Sequence, residues 1–103
     1  MLKKSYSKTG KSCRVTFKLP VENLPEDTQA ESVALLGEFN EWEPQANPMT
    51  KRKDGSFSVT LSVDAGSDYR FRYLIDGEVW INDDQADRFE QNRFGGKDCV
   101  LAV

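Results

Sequence analysis

The stretch from Tyr69 to Trp80, which reads YRFRYLIDGEVW, restricts the fold more than any other part of this 103-residue chain. Tyr69, Phe71, Tyr73 and Ile75 alternate with Arg70, Arg72 and Leu74. A period of two suits a β-strand, whose successive side chains point to opposite faces. Asp76-Gly77 then predicts a two-residue type I′ turn, because both central residues of that turn need positive φ. Glu78-Val79-Trp80-Ile81 is the expected return strand, which brings Trp80 near the arginines of the outgoing one.

The same period recurs elsewhere. Cys13, Val15, Phe17 and Leu19 alternate with polar residues across Lys11–Leu19, and Phe57, Val59, Leu61 and Val63 do so after the Asp54-Gly55 turn signal. Ser32–Leu36 reads as a short apolar strand that breaks at Gly37, and Cys99–Val103 as a final strand. Residues 20 to 31 and 82 to 97 are polar connections. Pro44 and Pro48 mark a further loop, where their fixed φ helps to hold the preceding Trp42. No segment keeps a 3.6-residue period and no internal repeat appears. The expectation is an all-β, immunoglobulin-like antiparallel β-sandwich of six to eight short strands. Residues 1–10 are expected to form a flexible N-terminal segment and residues 11–103 a single domain. A chain of this length buries roughly 65% of its unfolded surface, enough for one core.

Charge and composition narrow the function. Seventeen acidic against fourteen basic residues give a net charge of −3 and a pI near 4.9. That argues against general attraction to nucleic acid. No apolar run approaches a membrane span, and the start MLKKSYSKTG has no apolar stretch behind its lysines, so the expected location is the cytoplasm. There is no histidine, so the commonest general base is missing and no Ser-His or Cys-His pair can form. Neither an enzyme nor a cofactor is expected. The cluster Asp83, Asp84, Asp87 and Glu90 has interleaved arginines and reads as solvated or ion-paired side chains. A two-carboxylate glycosidase pair and a calcium site are the sharper alternatives. Cys13 and Cys99 are open to two readings, as reduced core thiols or as a bridge between the first and last strands.

The aromatics say more. Phe17, Phe57, Tyr69 and Phe71 fall on apolar faces and suit a core. Trp42 and Trp80 sit at a loop and a strand end, beside Glu, Asn or Asp. Each either plugs an edge of the sandwich or serves as a platform for a sugar ring. In the second case the indole offers a rigid, electron-rich surface to pyranose C–H bonds. Hydroxyls at the ring's rim then need polar partners, and Arg70, Arg72, Asn82 and Asp98 are of the right type.

GEFNEW, YRFRYLIDGEVW and RFGGKDCVL, in that order and spacing, resemble the family-48 carbohydrate-binding modules. These include the glycogen-binding domain of the AMP-activated protein kinase β subunit and the N-terminal domains of isoamylases and branching enzymes. The resemblance covers roughly residues 33–103. It implies a non-catalytic module that holds α-1,4-linked glucan between two tryptophans, here Trp42 and Trp80. It further implies Arg72 as the basic residue, Phe94 as the apolar side chain leaning on the sugar, and Asp98 where the kinase modules carry asparagine. Gly96 stands where those modules have threonine, and Asn82-Asp83-Asp84 lacks the family's usual proline. The expected ligand is a glycogen- or starch-like α-glucan. The alternative is a scaffold domain attached to, or partnering, a glycoside hydrolase family 13-type enzyme.

Overall fold

A computed structural model of the chain describes residues 2–24, 31–43, 45–83, 85–92 and 95–103. Nine strands run in chain order through them: β1 (Leu2–Tyr6), β2 (Ser12–Leu19), β3 (Val33–Gly37), β4 (Thr50–Lys51), β5 (Phe57–Asp64), β6 (Asp68–Ile75), β7 (Val79–Ile81), β8 (Arg88–Gln91) and β9 (Lys97–Ala102). They form two antiparallel sheets. One has the order β1-β2-β5-β4, the other β3-β6-β9-β8, with β7 added to the edge of β6 beyond β9. The molecule is an all-β sandwich.

The alternating residues do what their spacing implies. Cys13, Val15, Phe17 and Leu19 on β2 face Phe71, Tyr73 and Ile75 on β6, all completely buried. Phe17 and Phe71 meet across the sheets edge to face, with centroids 5.2 Å apart. Burial of each such ring contributes about 2 to 3 kcal/mol to holding the layers together. Cys13 and Cys99 are both buried free thiols. Burial pushes the Cys99 thiol up to about 11, so the group stays protonated and unreactive at neutral pH.

Three strands escape the period-two reading, and one of them, β4, is only two residues long. Residues 2–6, expected to be loose, pair with β2 from Leu2↔Phe17 to Tyr6↔Cys13. Their pattern is hidden because Lys4 occupies an inward position, where its Nζ meets Asp87 Oδ2 at 2.7 Å. β8 lies within the run expected to be a polar connection. It is an edge strand whose charges are spent on ion pairs with β6 and with one another.

The hairpin after β6 departs from expectation by one residue, and the consequence is large. Asp76 (φ 51°) and Gly77 (φ 71°) both adopt the left-handed region, and the Glu78 N–H donates to the Ile75 carbonyl at 2.9 Å. Yet Ile75 pairs with Val79, so three residues separate the strands and Trp80 lies opposite Leu74. Pairing Ile75 with Glu78 would have set Trp80 opposite Tyr73, facing the core. In a β-ladder a one-residue slip moves a side chain to the other face. The extra residue is what keeps Trp80 outside.

Candidate functional site

Trp42 stands at the end of the GEFNEW loop, and most of that motif holds it there. Gly37 is required by close approach: a Cβ at this position would lie 2.6 Å from the Arg70 carbonyl oxygen and 2.7 Å from the Phe39 ring. Phe39 packs on Phe17 and Tyr69, with centroids at 5.7 and 6.0 Å. Asn40 staples the loop. Its Oδ1 accepts from the Gly37 N–H at 3.0 Å, and its Nδ2 donates to the Leu35 carbonyl and to Asn47 Oδ1, each at 2.8 Å. The chain then turns through two consecutive left-handed residues, Glu41 (φ 57°) and Trp42 (φ 59°). For non-glycine residues this conformation costs of order 1 to 3 kcal/mol each, and it persists only where the surroundings over-determine it. The Trp42 N–H closes the loop on the Gly37 carbonyl at 2.9 Å.

Trp80 is mounted differently, on the outer face of a short strand, 43% exposed. The Arg72 guanidinium carbon lies 5.6 Å from its ring centroid, within cation–π range. The same guanidinium donates through Nε to Asn82 Oδ1 at 3.0 Å, while Asn82 Nδ2 donates to the Lys97 carbonyl at 2.9 Å. Asn82 therefore acts behind Arg72, as a brace that aims it.

These two mounts converge. Glu38, Trp42, Arg70, Arg72, Trp80, Asn92 and Asp98 line one open concavity of about 860 Å³ on the outer face of the second sheet. Asp98 forms part of its floor and is only 7% exposed. One of its carboxylate oxygens accepts from Asn92 Nδ2 at 3.1 Å and the other meets Arg70 Nη1 at 3.5 Å. Arg70 Nη2 in turn reaches Glu90 Oε2 at 2.8 Å, and the Arg70 N–H donates to Glu38 Oε1 at 2.6 Å. Hydrogen bonds from Arg88 hold the Glu90 carboxyl below its ordinary value. Among the described residues, two arginines and two carboxylates share the cavity wall, so these offer many directional partners and little net charge.

Of the residues singled out in the sequence, Trp42, Trp80, Arg72 and Asp98 come together in this concavity, and Asn82 stands directly behind it. Phe94 lies outside the described residues. Glu38 and Asn92 are additions. Glu38 is hidden inside a motif dominated by structural residues, and Asn92 in a polar run without periodicity. The acidic cluster does not form a site among the described residues. Asp83 is buried, not solvated, and accepts from the Tyr73 hydroxyl at 2.9 Å. Burial, and then the Asp83 charge, raise the Tyr73 phenol well above its ordinary value. Asp87 and Glu90 are ion-paired, Asp84 is outside the described residues, and no group of three or more metal-ligating side chains occurs among those described. No helix among the described residues is long and apolar enough to cross a membrane.

The family described as the glycogen recognition site of AMP-activated protein kinase matches residues 26–102. The chain belongs to this family. Among relatives of this glycogen-recognition domain, a 1,4-alpha-glucan branching enzyme of Xanthomonas campestris pv. campestris is 36% identical over 61 residues, covering 57% of this chain and 8% of the enzyme. The corresponding enzyme of Aquifex aeolicus is 40% identical over 63 residues, 58% of this chain and 10% of the enzyme. An amylopullulanase of Thermoanaerobacter thermohydrosulfuricus is 32% identical over 62 residues, 58% of this chain and 4% of that protein. The chain thus spans a tenth or less of the length of these relatives.

Proposed function

We propose that the concavity binds α-1,4-linked glucan without catalysing its conversion, with glucose rings stacked on Trp42 and Trp80. The observation that carries this reading is that both tryptophans and Arg72 line the same concavity. Indole faces take the apolar side of a pyranose and need few rotamers frozen to do so. Arg72, aimed by Asn82, then donates to ring hydroxyls, while Arg70, Asn92 and the Glu38 carboxylate complete the rim. Asp98 contributes chiefly by orienting Arg70 and Asn92, since each of its oxygens already has a partner. A wall with balanced charge suits a neutral, hydroxyl-rich polymer, because an ion would meet repulsion from one pair of groups or the other. The site is open and much of a bound glucan stays wet, so affinity falls between about micromolar and millimolar.

Maltoheptaose or β-cyclodextrin, titrated against the protein by calorimetry and tryptophan fluorescence, should give saturable binding. Trp42→Ala and Trp80→Ala should each remove the heat signal while leaving the thermal unfolding midpoint in place. Absence of binding at millimolar sugar would instead favour the domain as a scaffold on a glycan-metabolising enzyme. That second reading draws on the relatives, in which the matched stretch is a small part of a long enzyme.

A further inference from the structure

We propose that the outer face of the other sheet carries a separate site for a phosphate group, either free phosphate or a phosphate monoester on a sugar. Lys18, Arg52, Lys53, Asp54, Ser56 and Ser58 surround a second concavity of about 570 Å³, which Thr16 also lines. Its geometry follows from the ladder. Phe57, Val59, Leu61 and Val63 turn toward the core, so Ser58 and Thr60 of β5 face outward, as do Thr16 and Lys18 of β2. Lys18 lies directly across from Ser58, a separation of about 5 Å between Cβ atoms.

The floor is built rather than bare. Ser56 and Ser58 are 2% and 5% exposed although they stand on the solvent side of the strand. The Arg52 N–H donates to the Ser56 carbonyl at 2.7 Å, which closes the turn. Arg52 Nε donates to Ser58 Oγ at 2.8 Å, which lays the guanidinium over the floor. Its two terminal nitrogens remain available to a ligand, and so does the Lys53 ammonium. Asp54, the carboxylate in this wall, is turned inward on the same turn, where one oxygen accepts from the Ser56 N–H and hydroxyl at 2.9 and 2.6 Å.

The chemistry selects the ligand. Among the described residues, Arg52 and Lys53 stand with Lys18 around one engaged carboxylate, so cations outnumber anions in the wall of this concavity in a chain whose net charge is −3. No aromatic side chain among the described residues lines this concavity, so they offer no stacking surface of the kind a neutral sugar would need. A planar guanidinium held by one nitrogen presents a fork that matches two oxygens of a phosphate. Lysines add point charges, and the Ser58 hydroxyl, which accepts from Arg52, keeps its own proton to donate to the remaining oxygen. This face belongs to a different sheet from the tryptophans, so the proposal stands or falls independently of glucan binding.

The test is a titration of the isotopically labelled full chain, followed by backbone amide shifts, with inorganic phosphate, glucose 6-phosphate, glucose and ionic-strength-matched sodium chloride in parallel. Saturable shifts around residues 16–18 and 52–58 with either phosphate compound, and none with glucose or chloride, are the expected result. Tighter binding of glucose 6-phosphate assigns the ester as the natural form, and equal binding assigns free phosphate. Arg52→Gln should weaken the interaction roughly tenfold, the loss of one charge-assisted contact, and leave the maltoheptaose response intact. Arg52→Lys, which keeps the charge and loses the fork, should fall between. Shifts that chloride reproduces, or that Arg52→Gln combined with Lys53→Gln does not weaken, overturn the assignment.

Discussion

Trp42 and Trp80 reach the same concavity by opposite means. Trp42 is presented by a loop in which nearly every residue is exceptional: a glycine that admits no side chain, an asparagine making three hydrogen bonds, and two left-handed residues in succession. Trp80 is presented by three residues of ordinary strand whose only special property is their register. The first mount is held by interactions that have no substitute. The second is held by parity, and any hairpin that preserves parity preserves it. Perturbations of equal chemical size should therefore hurt the loop much more than the hairpin.

The largest effect is expected at Gly37. In Gly37→Ala the new methyl meets a backbone oxygen of β6, which cannot retreat without parting β3 from β6. The expected cost is about 3 kcal/mol, the upper range for overpacking, read as a lower denaturant midpoint with loss of maltoheptaose binding. Next comes Asn40→Ala, which strips partners from the Gly37 N–H and the Leu35 carbonyl in a partly buried loop. It should cost about 2 kcal/mol. Asn40→Asp keeps the acceptor but not the donor, so it should recover only part of that loss. If both substitutions proved as mild as changes in the hairpin, the distinction between the two mounts would collapse.

That contrast also explains how much was legible in the chain beforehand. The inward faces of β2, β5 and β6 were plain, because burial imposes an unbroken apolar period on them. β1 was concealed by Lys4, an inward lysine that the ladder tolerates because Asp87 meets it. β8 was concealed because an edge strand can spend its side chains on ion pairs. At the site, the two tryptophans stood out because indoles beside polar residues lack an obvious place in a core. Asp98 was expected to receive sugar hydroxyls, yet most of its hydrogen bonding turns inward, toward Asn92 and Arg70. The direction in which Trp80 points could not be read at all, since it depends on whether two or three residues make the turn.

A smaller effect belongs to the turn itself. Asp76 Oδ1 accepts from the Ser32 N–H at 2.8 Å, the Glu31 N–H at 3.0 Å and the Ser32 hydroxyl at 3.3 Å, which ties the hairpin to the start of β3. The backbone bond from Ser32 leads the causes that hold this carboxyl below its ordinary value of 3.8. A carboxylate depressed in the folded state stabilises above its unfolded value, and that contribution disappears as pH falls through the lower, folded one. The thermal midpoint should therefore drop on acidification below about pH 4, where Asp76 begins to lose its charge in the unfolded chain. Asp76→Asn should flatten part of that slope. Asp54 and Glu90 are depressed in the same direction and will keep the remainder. An unchanged slope in Asp76→Asn would mean that the clamp adds nothing to stability.

The smallest effect is expected from a deletion. Removing Glu78 leaves Ile75 opposite Val79 and turns the three-residue connection into the two-residue Asp76-Gly77 turn whose φ values are already positive. Parity is unchanged, so Trp80 stays opposite Leu74, on the outer face beside Arg72. Maltoheptaose affinity should stay within about threefold of the parent, because the only contacts altered are exposed ones worth a few tenths of a kcal/mol. Removing Val79 instead, with the three-residue connection retained, brings Trp80 opposite Ile75 and turns the indole toward the core. That variant should lose sugar binding and much of its stability, although it too lacks a single residue of the same hairpin. If the two deletions behaved alike, strand register would not be what places the second tryptophan.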